Sequence, residues 1–246
     1  MEGSIIYMQF ASRIVNVITN FEADNTGEFL CTVNIQNAID CVAANGGGEV
    51  LFPAGKYKTT TIYLKSNVTL NLEKDSIILA SPVQSDWMTS SLPVIKAESQ
   101  NNIEIKGMGS IDGSAPYYTN TINNHYIKGQ RPNNNLHIIN CNYVAVCGIT
   151  LKDPCGWTQH YDNCENVVVD GVKVRSLAYC DEREWNYGID INGCRHVLIQ
   201  NCDIISGDDA ICLKNFNVTN NALPRQDMFD IVVRNCIVAV RVMLLR

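Results

Sequence analysis

"INCNYVAVCGITLKD" (residues 139–153), "DNCENVVVDGVKVRS" (162–176), "NGCRHVLIQNCDIIS" (192–206) and "DMFDIVVRNCIVAV" (227–240) are four versions of one pattern. Each carries Cys or Phe, then a Val or Ile, apolar residues two apart, a Gly or Asn turn and a second short apolar run. Apolar residues two apart make a strand with one buried face. The same pattern recurring at intervals of about 20 to 40 residues marks a solenoid, in which each unit buries its face only against its neighbours. Val144, Val167, Val197 and Ile231 are therefore expected to stack, one per coil.

Working outward, "SNVTLNLEKDSIILAS" from Ser66 and "NNIEIKGMGSIDG" from Asn101 repeat the strand, turn, strand rhythm with weaker agreement. Asn is frequent where coils turn, because it tolerates left-handed backbone and hydrogen-bonds its neighbours. Helical periodicity is confined to "TVNIQNAIDCVAANGGG" (32–48), where Val33, Ala38, Ile39 and Val42 are read as one apolar face and the glycines stop the helix. The fold class expected is all-β: a right-handed parallel β-helix with a short N-terminal capping helix, since solenoid ends need covering. A β-sandwich also has short strands but does not repeat in this register.

The 246 residues are 46% hydrophobic, enough for one sizeable core, and a single domain over 1–246 is expected. A net charge of -6 with no Lys/Arg cluster argues against a nucleic-acid partner. No membrane span is visible, nor a basic segment followed by an apolar stretch that would mark an export signal. Eleven cysteines, an odd number, recur at one place in the pattern, which favours buried thiols stacked in the core over disulfides.

Two adjacent acids, Asp208 and Asp209, interrupt the apolar run "NCDIISGDDAICLKN". An unpaired charge in a core is costly, so either the chain turns outward at Gly207 or the site uses both acids. Around them the sequence resembles the polygalacturonase family of glycoside hydrolases, right-handed parallel β-helices that act on pectin. The resemblance is carried by "GGGEVLFPAGKYKTTTIYLKSNVTLNLEKDSIILAS" from Gly46, "GSIDG" from Gly109, "RPNNNLHIINC" from Arg131, "DPCGWTQHYDNCENVVV" from Asp153 and "NYGIDINGCRHVLIQNCDIISGDDAICLK" from Asn186. It extends over residues 16 to about 237.

The resemblance implies an inverting glycosidase. Asp208 matches the acid that protonates the leaving oxygen, and Asp209 an acid that helps activate water. Such a mechanism needs one protonated and one ionised carboxyl, about 6.5–9.5 Å apart, with water between base and sugar. The family's further water-activating Asp, just before a Gly-hydrophobic-Asp step, is here Tyr187, which is no base at neutral pH. Asp190 is retained. Strand alternation puts it on the opposite face from Tyr187, so it reads first as a structural hydrogen-bonding acid. Asp181, Glu182 or Glu184 could substitute, but a solvated loop is the simpler account of them.

His160 matches a recurrent family His and, with Trp157, could line the cleft or pack at a corner. Trp157, Trp185 and Tyr187 could stack on a sugar ring, although packing at coil corners explains them without a ligand. Lys214 could bind a uronate carboxylate or neutralise the acids, although alternation sets it on the side of Ala210 and Cys212. The family's Gly-His-Gly and Arg-x-Lys coils are missing, so a C-terminally truncated chain is expected, and an inactive fragment or pectic-sugar-binding pseudoenzyme is the rival. Calcium, as in β-helix pectate lyases, fits the Gly-Asp-Asp context less well. The cysteines and four histidines lack zinc spacing. No cofactor and no metal are expected, a pectic oligo- or polysaccharide is the partner, the chain is read as a monomer, and the family implies an extracellular or periplasmic setting.

Overall fold

A computed structural model of the protein describes residues 13–88, 92–118, 132–176, 186–216 and 226–240. Among them the chain winds as a right-handed parallel β-helix, each coil giving a short strand to each of three parallel sheets. The eight-stranded sheet includes Val68–Leu72, Asn101–Gly107, Asn142–Cys147, Glu165–Asp170, Arg195–Gln200 and Phe229–Arg234. The seven-stranded sheet includes Thr150–Lys152, Lys173–Arg175, Asp203–Ser206 and Ile237–Val240. A six-stranded sheet ends with Leu136–Ile139, Gln159–Asp162, Ile189–Asn192 and Ile211–Lys214.

The register is the one the repeats dictate. Val144, Val167, Val197 and Ile231 are successive partners in the eight-stranded sheet. Leu151, Val174, Ile204 and Val238 are successive partners in the seven-stranded sheet. Inward residues from all three sheets fill one continuous core. Coils turn where the backbone is left-handed: Asn140 (φ 51°), Asn163 (φ 49°) and Gly193 (φ 61°) occupy one corner in three coils. These are residue types that tolerate that conformation at little cost.

The described cysteines are free, and several stack as expected. Cys141, Cys164 and Cys194 share one core row, and the Cys164 backbone N–H donates to Cys194 Sγ at 3.3 Å. The fourth repeat corrects one detail. Phe229 pairs with Arg195 and is exposed, so Met228, packed against the core, continues the cysteine row.

The helix Thr32–Ala44 covers the first coil, packing on Ile14–Asn16, Gly48–Phe52, Ile62–Tyr63 and Val68–Leu72. Its buried face is Ile35, Ala38, Ile39 and Val42, spaced i, i+3, i+4, i+7. Val33 is 70% exposed, contrary to expectation, because two residues before Ile35 is about 200° around a helix. The helix ends at Asn45, and Gly47 turns with φ 115° where a Cβ would lie 2.5 Å from the Asn67 carbonyl oxygen.

Candidate active site

The six-stranded sheet gathers polar and titratable side chains on its outer face. Along its strands Tyr161, Ile189 and Ile191 point into the core, so the residues between them point out. His137, His160, Asp190 and Cys212 are successive partners on that outer face. Two residues further along, Ile139, Asp162, Asn192 and Lys214 form the next row. Side chains distant in sequence are thus brought one coil apart.

Asp162 anchors the upper part. Its carboxylate meets His137 Nε2 at 2.7 Å, lies 2.9 Å from His160 Nε2 and accepts the Asn192 amide N–H at 2.8 Å. Burial works against the ionised form, but the hydrogen bonds of His137, His160 and Asn192 prevail and hold it well below the usual carboxylate range. Burial lowers His160 to about 4, so its imidazole is neutral at physiological pH. His137, His160 and Asp162 place three candidate ligand atoms within 4.8 Å of one another. The imidazoles, however, are stacked 4.5 Å apart with 7° between their planes, so their lone pairs run side by side instead of converging as tetrahedral coordination requires.

Asp190, on the next coil, is fully buried, and Lys214 Nζ lies 2.6 Å from its Oδ1. Burial raises its carboxyl to about 6, and the neighbouring lysine offsets only part of that. The same ammonium sits 3.9 Å from the Tyr187 ring centroid and 4.3 Å from that of Trp157. Trp157 in turn meets His160, Tyr187 and Phe216 edge to face at 4.3, 5.6 and 6.3 Å. The result is a lysine enclosed by two rings and a carboxylate beneath a partly exposed aromatic surface.

Asp208 and Asp209 follow the strand Asp203–Ser206 at the corner before Ile211–Lys214. The chain leaves the core there: Ser206 is buried, Asp208 half-buried and Asp209 exposed. The Asp209 N–H donates to Asp208 Oδ1 at 2.7 Å, and Gly207 N–H donates to the Asn186 carbonyl at 3.1 Å. The Cys212 thiol donates to Asp209 Oδ2 at 3.0 Å. Tyr187 hydrogen-bonds to Asp208, and burial, with that carboxylate's charge, pushes its phenol up to about 12. Tyr187 is therefore a donor to Asp208 at neutral pH.

The alternation argument separated Tyr187 from Asp190, yet both reach Lys214. Alternation holds only within a strand, and this strand begins at Ile189. Gly188 makes the approach: a Cβ there would lie 2.2 Å from the Ala210 carbonyl oxygen, which accepts the Ile189 N–H at 2.9 Å. Lys214 does share a side with Cys212, and that side is the outer face, toward Asp190 and Trp157. His137, Asp162, Asn192 and Phe216 belong to the cluster and were not singled out from sequence; the His-x-Asp step at 160–162 was the available signal. Asp181, Glu182, Glu184 and Trp185 lie outside the described residues.

The family model for glycosyl hydrolases family 28 matches residues 42–223, which contain every residue of this cluster. The chain belongs to glycosyl hydrolase family 28. A probable polygalacturonase of Vitis vinifera is 25% identical over 221 residues, covering 80% of this chain and 44% of the relative. An exo-poly-alpha-D-galacturonosidase of Dickeya chrysanthemi is 23% identical, over 81% of this chain and 41% of the relative. The family 28 chain thus spans less than half the length of these curated relatives. Among solved structures, an exopolygalacturonase from Thermotoga maritima superposes with TM-score 0.77 at 23% identity, covering 94% of this chain and 61% of that one. A putative glycosyl hydrolase from Parabacteroides merdae superposes with TM-score 0.73 at 26% identity, covering 94% of this chain and 99% of that one.

Proposed function

We propose that the chain is a glycosidase that hydrolyses O-glycosidic bonds in a pectic polysaccharide, with inversion at the anomeric carbon. The observation that carries this reading is the Asp208–Asp209 corner, two carboxylates turned out of the core beside the aromatic surface of Trp157, Tyr187 and Phe216. Asp208 protonates the leaving oxygen and Asp209 draws a proton from the attacking water, with aromatic faces to hold the sugar. His160 and Asp190 hold that surface from below, and Lys214 offsets the Asp190 charge. No helix among the described residues is long and apolar enough to cross a membrane. A monomer acting outside the cytoplasm fits a polymeric cell-wall substrate.

The test is release of reducing ends from pectic oligosaccharides by the chain and by Asp208→Asn and Asp209→Asn, with the anomer formed first read by proton NMR. Hydrolysis with inversion, lost in both variants, is expected. Retention, or undiminished turnover by either variant, refutes the assignment. Unsaturated, ultraviolet-absorbing products that need calcium would mean a lyase.

Tyr187 favours a second reading. A tyrosine hydrogen-bonded to Asp208 stands where the family resemblance leads one to expect a carboxylate, which suits a protein that holds a pectic sugar without cleaving it. Calorimetric binding of pectic oligosaccharide with no reducing ends released would establish that reading in place of the first.

A further inference from the structure

We propose that Cys212 is a positioning residue for the cleavage reaction, its thiol holding the Asp209 carboxylate in the orientation that takes a proton from water. This rests on the glycosidase reading and adds a member to its machinery. The thiols of the core rows donate to the backbone: Cys141 to the Ile139 carbonyl, Cys164 to that of Asp162 and Cys194 to that of Asn192, each two residues back. Cys202 and Cys236 do the same toward the carbonyls of Gln200 and Arg234. Cys212 departs from that pattern. It stands outside those rows, on the outer face of the six-stranded sheet, and donates instead to a carboxylate, with Sγ 3.0 Å from Asp209 Oδ2.

The two side chains are held differently. Cys212 lies in the strand Ile211–Lys214, in register with Asp190, and is buried. Asp209 lies in the corner before that strand: its carbonyl accepts the Gly188 N–H at 3.0 Å, which fixes the backbone, while its side chain is exposed. An exposed carboxylate on a fixed backbone still samples several rotamers, and ordering it during the reaction costs entropy. The bond from the strand orders it beforehand. That bond engages Oδ2 and leaves Oδ1 for the water. Burial, together with the bond to Asp209, pushes the Cys212 thiol up to about 12, so at neutral pH it is protonated and donates. A thiol in that state is not a nucleophile. The proton taken from water ends on Asp209, and the thiol keeps its own. Sulfur is also a weak donor, so it orients the carboxylate without competing strongly for the lone pair that the water's proton needs.

The test is reducing-end release from pectic oligosaccharide, per folded molecule, by the unaltered chain and by Cys212→Ala, Cys212→Val and Cys212→Ser. Ala and Val remove the donor, Val keeping most of the bulk, and Ser retains a donor. In Ala and Val kcat is expected to fall roughly tenfold with KM unchanged, and in Ser to stay within about threefold of the unaltered chain. Cys141→Ala is the control: it opens a cavity in the buried row, three strands away in the six-stranded sheet, and should lower the urea midpoint without changing kcat. Undiminished kcat in Ala and Val, a fall in Ser as large as in Ala, a loss confined to KM, or a matching fall in Cys141→Ala overturns this proposal and leaves the glycosidase reading standing. An unaltered chain that releases no reducing ends, or an Asp209→Asn chain that releases them undiminished, overturns both.

Discussion

The eight-stranded and six-stranded sheets are built by the same winding but use it in opposite ways. In the eight-stranded sheet each rung repeats its neighbour: Val144, Val167, Val197 and Ile231 in one row, Val146, Val169, Ile199 and Val233 in another. The outer face of the six-stranded sheet does not hold to one residue type: the stacked pair His137 and His160 gives way to Asp190 and then to Cys212. Repetition there would set like charges one rung apart, which is destabilising. Variation instead places a neutral histidine over a buried acid and that acid under a lysine. One sheet supplies burial, and the other, freed from having to repeat, gathers the polar cluster.

If that division holds, the two sheets respond to different measurements. Asp208→Asn keeps an oxygen that can accept the Asp209 N–H, so the corner geometry survives. Hydrolysis of pectic oligosaccharide should fall by about a thousandfold while urea midpoints stay put. A matching loss of stability would mean that the corner also holds the fold together.

Val169→Ala reverses the pattern. Val169 is fully buried between Val146 and Ile199, and removing its two methyl groups should cost about 2 kcal/mol of folding stability. Turnover per folded molecule should not change. Chemical denaturation and activity below the transition check both halves. Altered turnover would show that the repeating sheet bears on the site.

The same division accounts for what could be read from the chain. The Val and Cys rows were legible because identity itself repeats, and the Asn corners because the backbone they need is one few residues tolerate. Asp208 and Asp209 were conspicuous because charge interrupted an apolar run. Nothing in the sequence repeats between His137 and Asp162 or between Trp157 and Lys214, so their meetings follow only from the register of successive coils. Asp190 was set on the face opposite Tyr187 because a period of two was carried across Gly188, outside the strand. Val33 was chosen over Ile35 for a similar reason: an apolar residue near the start of a helix was included in a face that its angle excludes.

The six-stranded sheet should also make stability depend on pH. In the unfolded chain the His160 imidazole takes a proton near 6.5, but in the fold only near 4. The unfolded state binds more protons in that interval, so this residue lowers stability as pH falls from 6.5 toward 4. Asp190 acts in the opposite sense: its folded carboxyl takes a proton near 6 and its unfolded one near 3.8, which favours the folded state as pH falls through 6. The depressed carboxyl of Asp162 loses its contribution only as pH falls through 3.8 and below. In the unaltered chain His160 and Asp190 oppose each other between pH 4 and 6. Asp190→Asn should expose a loss of roughly 1 kcal/mol per pH unit on acidification, and His160→Gln the reverse slope. Urea unfolding at pH 4.5, 5.5 and 6.5 separates them; equal slopes in both variants would show that the two groups do not titrate as a pair.

The smallest effect is expected where repetition continues without burial. Leu151, Val174, Ile204 and Val238 occupy one row of the seven-stranded sheet, and the first three are fully buried whereas Val238 is 53% exposed. Val174 and Val238 share residue type and place in the row, so a difference between them reports burial alone. Val174→Ala should cost about 2 kcal/mol and Val238→Ala less than about 0.5 kcal/mol in this chain, since little apolar area is withdrawn from water at the second position. Equal losses at the two positions would mean that Val238 is covered in solution, and that the repeating sheet finds further burial beyond the coil that contains it.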